Sequence, residues 1–542
     1  MMEISPPGNI LMSKEKIYIF DTTLRDGNQT PGVDFTVDDK NRISKILDDL
    51  GIDYVEGGYP GANPTDTDFF NSPPKFKNSK FVSFGMTKRP GRSASNDPGF
   101  NELLSYKTDA ICYVAKSWDF HVRKALGCTL EENISSIKES VKAACKSHGE
   151  VMVDCEHFFD GYKNNREYAT KCVKAAYESG ARWVVLCDTN GGTLPDEVSE
   201  IVTEICNIIP GKNLGIHAHN DTGNAVANSL AAIQSGARQV QGTLNGIGER
   251  CGNADLITII PTLLLKERFN TSFEISVTNK ALKNIRKTSL IIDDILNRAP
   301  DKQSPYVGES AFATKAGIHA SAIIKDPKTY EHVEPENVGN ERKLLISDQG
   351  GKSNVISALK KMGINIPKDD QRITELLEIV KERESRGYTY ESAQASFELL
   401  AREIFGNLKE FFNVESFRTL VERRINAKGE LITVSEATVK VLVDGERFIS
   451  SGEGNGPVNA LDNAMRRDLG KYNKYLKNMQ LVDYKVRVLN GGTGAVTRVL
   501  VESSDTKTNE RWVTIGVSPN IVDASFQALY DAINYKLVQS NI

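Results

Sequence analysis

Ile17-Tyr18-Ile19-Phe20-Asp21-Thr22-Thr23-Leu24-Arg25-Asp26-Gly27 begins as a run of β-favouring residues and then turns polar at once. It reads as a short buried strand that delivers Arg25 and Asp26 at its carboxyl end. The pattern recurs as YVEGG from Tyr54, FVSFG from Phe81, AICYVA from Ala110 and VMVDCE from Val151, then as WVVLCD from Trp183, LGIHAH from Leu214 and VQGT from Val240. Between these strands lie amphipathic helices. After Thr36 the apolar Ile43, Ile46, Leu47 and Leu50 fall at i, i+3, i+4 and i+7, and Thr36 with Asp39 resembles a capping box. A second helix opens at Thr129, with Glu132 three residues on and Ile134, Ile137, Val141 and Ala144 as its stripe. Eight alternations between Lys16 and Arg268 predict an α/β fold, a (β/α)8 TIM barrel over 16–281 behind a tail at 1–15. A doubly wound open sheet reads similarly, and the count of eight selects the barrel.

From Leu282 the alternation stops, and 282–394 reads as a helical connecting region with polar loops. The segment 395–542 holds a repeat. Glu446-Arg447-Phe448, Gly452, Val458, Ala460 and Ala464 match Glu510-Arg511-Trp512, Gly516, Val522, Ala524 and Ala528. Each copy follows a Val-Leu-Val strand, from Val441 and from Val499, and ends in a helix, which predicts a duplicated α+β domain with a strand, strand, helix unit used twice. Such a layer suits a regulatory or dimerising module. The plainer reading is a structural appendage, because a repeat chiefly reports duplication.

With 542 residues, 39 % hydrophobic and 25 % charged, the chain has the mix of a globular protein with several cores. Its 67 Lys and Arg against 71 Asp and Glu give −4, so no global cationic field exists for nucleic acid or an anionic membrane. No apolar run reaches spanning length and no basic-then-apolar leader opens the sequence, so a cytoplasmic location is expected. All eight cysteines lie between Cys112 and Cys251 without C-x-x-C spacing, which predicts reduced, scattered thiols.

In a barrel the carboxyl ends of the strands converge on one site. The seventh ends as His217-Ala218-His219, and alternation puts both imidazoles on one face. With Asp26 they suit a divalent metal, and Asn253 offers a neutral oxygen that leaves coordination positions for substrate; the bland alternative is a hydrogen-bonded histidine pair. Arg25 fits a cation aimed at a developing oxyanion, against a plain salt bridge. Asp154 and Glu156, two apart at the fifth strand end, share a face and are available for proton transfer. Thr189 can donate its hydroxyl to a substrate carboxylate, or serve a turn. Gly350-Gly351-Lys352-Ser353 imitates a phosphate loop, but Ile346 stands where glycine is needed, and Gly246-Ile247-Gly248 lacks the third glycine of a dinucleotide fingerprint.

FDTTLRDGNQTPGV, YVEGGYPGANPTD, LCDTNGGTLP, GIHAHND and NGIGERCGNADL together resemble the metal-dependent acyl-CoA condensing and lyase barrels marked by D-x-T-L-R-D-G. That group includes the isopropylmalate, homocitrate and citramalate synthases, hydroxymethylglutaryl-CoA lyase and the biotin-dependent carboxyltransferases. The tail, with GEGNGPVNALDNAMRRDLG, resembles the regulatory domain of the isopropylmalate and citramalate synthases, which lyases and carboxyltransferases lack. YVEGGYPGANPTDTDFF and CEHFFDGY are most similar to the citramalate branch.

The resemblance implies an acyltransferase of isoleucine biosynthesis that condenses acetyl-CoA with pyruvate. The isopropylmalate and homocitrate synthases, acting on other 2-oxo acids, are the near alternatives, and a metal-dependent lyase and a non-catalytic amino-acid sensor the distant ones. It implies a divalent ion (Mg2+, Mn2+ or Zn2+) on Asp26, His217, His219 and Asn253, with Arg25 at the enolate and ketone oxygens. Glu156 matches the catalytic glutamate, and Thr189 the hydroxyl that binds the 2-oxo acid carboxylate. His319 and Tyr330 match a pair that reaches the barrel site from a second subunit, which implies a homodimer. Ala320-Ser321-Ala322 departs from the Gln-Asp of the isopropylmalate branch. Isoleucine is the implied inhibitor through the tail, and no Met-Lys-Met marks a biotin domain.

Overall fold

The structure, a computed structural model, describes residues 14–345, 351–425, 427–489 and 495–540. Eight parallel strands close into a barrel in chain order: β1 (Tyr18–Asp21), β2 (Tyr54–Gly58), β3 (Lys80–Met86), β4 (Ala110–Lys116), β5 (Glu150–Glu156), β6 (Trp183–Asp188), β7 (Leu214–Ala218) and β8 (Gln239–Gly242). Closure comes from β1, which pairs with β2 on one side and with β8 on the other. Alternate residues turn inward, so that Phe20, Tyr54, Cys112, Met152, Trp183 and Cys187 share the lumen core while their neighbours pack outward under the helices. At the amino ends Trp183 Nε1 donates to the Tyr54 hydroxyl (3.1 Å), which donates to Glu150 (2.8 Å). This plugs the floor and leaves the carboxyl ends as the mouth.

Both helix starts read from the sequence hold reciprocal capping boxes, Thr36 with Asp39 and Thr129 with Glu132. All eight cysteines are free thiols. Among the described residues no helix is long and apolar enough to cross a membrane.

The chain forms two compact units. One holds the barrel, ends at Phe312 and takes in Val333–Arg342; the other takes in Ala313–His332 and the described chain from Lys343 onward. In the second unit the helices Lys352–Lys361, Gln371–Ser385 and Gln394–Ile404 share a small core of Val355, Leu359, Ile373, Leu376 and Phe397. Ile346 and Gly350 lie outside the described residues.

The repeat contains one more strand per copy than its sequence suggests. Copy one is β9 (Asn413–Ile425), β10 (Leu431–Val443), β11 (Glu446–Gly454) and the helix Pro457–Arg467; copy two is β12 (Met479–Val488), β13 (Thr497–Asp505), β14 (Arg511–Ser518) and the helix Ile521–Gln539. Each makes a three-stranded antiparallel sheet. β9 and β12 are exposed along most of their length and carry charges among their apolar residues, so the two-residue periodicity that marks a half-buried strand is absent.

The matched small residues are where helix meets sheet. A Cβ on Gly452 would sit 2.8 Å from the Ala460 carbonyl oxygen, and one on Gly516 would sit 1.9 Å from that of Ala524. Gly516→Val is therefore expected to unfold the duplicated module, seen as rapid tryptic loss of its fragments from the full chain. Gly456→Ala, with open space around it, is the tolerated control, and equal resistance of both variants would refute the close approach.

Candidate active site

At the mouth, Asp26 Oδ2 lies 3.2 Å from His217 Nε2 and 3.7 Å from His219 Nε2, and the two imidazole nitrogens are 3.2 Å apart. The three side chains are buried, and their ligand atoms converge in a group able to hold a metal ion. The Asn253 backbone bridges to that of His219. Its Nδ2 donates to the Ile247 carbonyl (3.2 Å), while its Oδ1 is buried without a hydrogen-bond partner. An orphaned amide oxygen on a residue whose backbone is bridged to His219 is a neutral donor of the type that completes a divalent-cation site.

The orientation of His217 is set from behind. Gln241 Nε2 donates to Asp154 Oδ1 (3.0 Å), and Gln241 Oε1 faces His217 Nδ1 (2.8 Å). A carboxylate only accepts, so Asp154 turns the amide NH2 toward itself and the amide oxygen toward His217. A proton is thereby fixed on Nδ1, which leaves Nε2 as the nitrogen that faces Asp26 and the site. Burial, then the neighbouring His217, pushes His219 down to about 4. Burial also works against a charged His217, but the hydrogen bond and charge of Asp26 prevail and raise it. Asp26, although buried, is held well below the usual carboxylate range by Arg25 and by His217.

Arg25 Nε donates to Glu56 Oε2 at 2.8 Å, and its guanidinium lies 4.0 Å over the Phe84 ring. Tyr59 meets Phe84 edge-on at 5.9 Å, and the Tyr59 N–H is held by Asp66, which the fully buried Lys40 pairs. Burial opposes the Arg25 charge, but Glu56, Asp26 and Asp154 outweigh it and hold the guanidinium protonated. Glu56, Cys112 and Asp154 form a second buried group that converges closely enough for a metal ion; there Arg25 already pairs Glu56. Burial raises both carboxyls above their ordinary values.

Asp154 and Glu156 part company despite sharing a face. Asp154 is buried on Gln241, whereas Glu156 is partly exposed and paired with Lys116. Thr189 follows β6, and its Oγ1 accepts the backbone N–H of His157 (2.8 Å), a residue held at φ 52°. His319 and Tyr330 lie in the second compact unit, exposed, with ring centroids 4.2 Å apart.

The sequence reading missed Glu56, Gln241 and Phe84. The available signal was polarity out of place: a carboxylate inside YVEGG and a glutamine inside VQGT, in strands whose every residue is buried.

Comparison with known proteins agrees with this geometry. Residues 16–291 match the HMGL-like family, 306–387 the homocitrate synthase post-HMGL domain-like family, and 391–537 the LeuA allosteric (dimerisation) domain. The chain is 48 % identical over 529 residues to the (R)-citramalate synthase of Aquifex aeolicus, covering 97 % of this chain and 98 % of that one. It is 47 % identical over 533 residues to that of Geobacter sulfurreducens, covering 98 % of each. Against the 2-isopropylmalate synthase of Aquifex aeolicus the identity is 29 % over 534 residues, 97 % of this chain and 96 % of that one. The chain belongs to the (R)-citramalate synthase family.

The two imidazoles should titrate apart. In the metal-free chain at pH 5.5, His217 is expected to be charged and His219 neutral, read by 15N NMR of the imidazoles. Because an unfolded His219 takes up its proton near 6.5 and the folded one near 4, acidification through that interval works against the fold at this residue. A single shared titration near 6.5 would contradict the asymmetry.

Proposed function

We propose that the chain condenses acetyl-CoA with pyruvate and water to give (R)-citramalate and CoA. The observation that carries this reading is the convergence of Asp26, His217 and His219 beside a buried, anchored Arg25 at a barrel mouth, in a chain similar over its full length to the (R)-citramalate synthases. Asp26, His217 and His219, with Asn253 Oδ1, would hold a divalent cation, which when bound supplies a Lewis acid for the ketone of the 2-oxo acid.

The remaining work falls to the protein's own groups. Thr189 Oγ1 already accepts a hydrogen bond from His157, so its own proton is free to donate to the pyruvate carboxylate. Arg25, fixed by Glu56 and Phe84, places its positive charge where an enolate and then an alkoxide develop, and it needs no reorganisation as they form. The methyl proton of acetyl-CoA leaves to Glu156, or to a water held by His319 and Tyr330 of the partner subunit. Addition gives citramalyl-CoA, and hydrolysis of its thioester releases CoA. The duplicated tail is read as the homodimerising and regulatory module, with isoleucine as inhibitor.

CoA-thiol release by the full chain with Mn2+ is expected to be fastest with pyruvate among pyruvate, 2-oxobutyrate, 2-oxoisovalerate and 2-oxoglutarate, and to fall on adding isoleucine. Preference for a branched or dicarboxylic acid would move the activity to a sister synthase. Arg25→Ala should lower kcat by about 100- to 1000-fold with a smaller change in pyruvate KM; unchanged turnover removes it from the mechanism. His219→Ala should lose Mn2+ on gel filtration, measured by elemental analysis, and full retention would count against the ligand set.

A further inference from the structure

Lys40 is fully buried at the end of the first turn of the helix Val37–Leu50, where neither burial nor the helix dipole favours a cation. Its ammonium has two acceptors. One is the carbonyl of Gly57 on β2, at 2.9 Å, and the other is the carboxylate of Asp66, in the first turn of the helix Pro64–Asn71. Asp66 is buried as well, and its second oxygen accepts the Tyr59 N–H at 2.8 Å. Among the described residues neither Lys40 nor Asp66 makes a hydrogen bond or ion pair with Arg25 or Asp26, so the chemistry of the mouth does not use this buried pair directly.

The pair clasps a break in strand pairing. Between β2 and β3, Glu56 pairs with Val82 and Gly58 with Ser83, so Gly57 is an extra residue that bulges out directly after Glu56. Its carbonyl is the one that Lys40 holds. Gly58 follows at φ 145°, and a Cβ there would sit 2.6 Å from the Asp66 carboxyl carbon, so the strand end lies flat against the pair. Lys40 and Asp66 thereby fix the Gly57 C=O and the Tyr59 N–H, the backbone groups on either side of Gly58. Each leads to Arg25. Upstream is Glu56, whose carboxylate takes Arg25 Nε at 2.8 Å, and downstream is the Tyr59 ring, which meets Phe84 beneath the guanidinium.

A buried ion pair adds little stability that apolar side chains of similar volume would not supply. What it adds here is direction, because an ammonium and a carboxylate fix hydrogen-bond geometry where apolar groups only fill space. We propose that Lys40 and Asp66 are positioning residues for the condensation, setting the place of the Arg25 guanidinium through Glu56 on one side and through Tyr59 and Phe84 on the other. The kinetic half of this assignment rests on the proposed condensation. A fixed charge stabilises a developing alkoxide only from the right place, and a displacement of about 1 Å is enough to cost up to 100-fold in rate.

The test is a mutant cycle in the full chain with acetyl-CoA, pyruvate and Mn2+. Lys40→Met/Asp66→Asn removes both charges together, so neither is left buried alone, and an amide oxygen remains for the Tyr59 N–H. It is expected to lower kcat about 10- to 100-fold with a smaller change in pyruvate KM. Added to Arg25→Ala it should cost nothing further, because the pair acts through Arg25. An unchanged kcat, or the same fall with and without Arg25, overturns the assignment and leaves the condensation standing. Should that variant fail to fold, Tyr59→Ala, which removes only the ring against Phe84, is carried through the same cycle with the same two outcomes. A readout without turnover is the Arg25 Nε–H in the 15N-arginine-labelled chain, assigned by its loss in Arg25→Ala. Its exchange with water should quicken about tenfold or more in either positioning variant, and an unaltered exchange rate overturns the assignment. No CoA release by the unsubstituted chain with any 2-oxo acid overturns the condensation instead, and the Nε–H exchange then still decides whether the pair positions Arg25.

Discussion

A carboxylate with no exposure at all, Glu56, sits inside the barrel, and the architecture of the mouth follows from what it takes to keep it there. A buried charge is tolerated only when it is paired and hydrogen-bonded, and stripping one partner from such a pair costs about 3–5 kcal/mol. Glu56 takes both of its partners from the turn after β1, the Thr22 hydroxyl at 2.5 Å and Arg25 Nε at 2.8 Å. The turn is thereby tied to β2, which fixes where Arg25 can point and where its neighbour Asp26 must lie. Asp21 adds a second clamp by accepting from Thr23, whose hydroxyl oxygen accepts the Leu244 N–H and so joins the first strand end to the last. The Arg25 cation and the Asp26 carboxylate thus sit adjacent in sequence yet are held to different partners, because a third residue draws one of them aside.

Much of this is legible in the amino-acid sequence. The eight strands announce themselves because each is a buried run closed by polar residues, and a barrel gathers those polar ends whatever the loops do. His217, His219 and Asp26 could be grouped on topology alone. Glu56 and Gln241 could not be assigned roles, since their meaning lies in partners 24 to 87 positions away that no local pattern announces. The strands β9 and β12 escaped for the opposite reason: they are held by main-chain pairing to their neighbours and bury too little to impose a period on their side chains.

The duplicated module shows how a repeat can be read physically. Its matched glycines and alanines record a distance, the approach of a helix backbone to a strand, kept twice. Apolar residues from both copies, Val439 and Val441 with Val499 and Val501, enter one shared core. Neither copy closes a core by itself, which is why two are needed, and the exposed apolar residues along β9 and β12, Leu420 and Val486 among them, are the surface left over when the pair is complete.

Gln241 has a consequence that reaches beyond holding a ring in place. Had Asp154 touched His217 directly, the imidazole would have gained a formal negative charge at its back and become a stronger base and a softer, more electron-rich ligand. An amide placed between them works as an insulator. It relays the direction of the hydrogen bond while keeping the charge at a distance, so the geometry of the ring and its electron-donating power are set separately. Asp154 therefore reaches the histidine only through space, adding to the larger pull of Asp26, while the amide alone sets which way the ring faces.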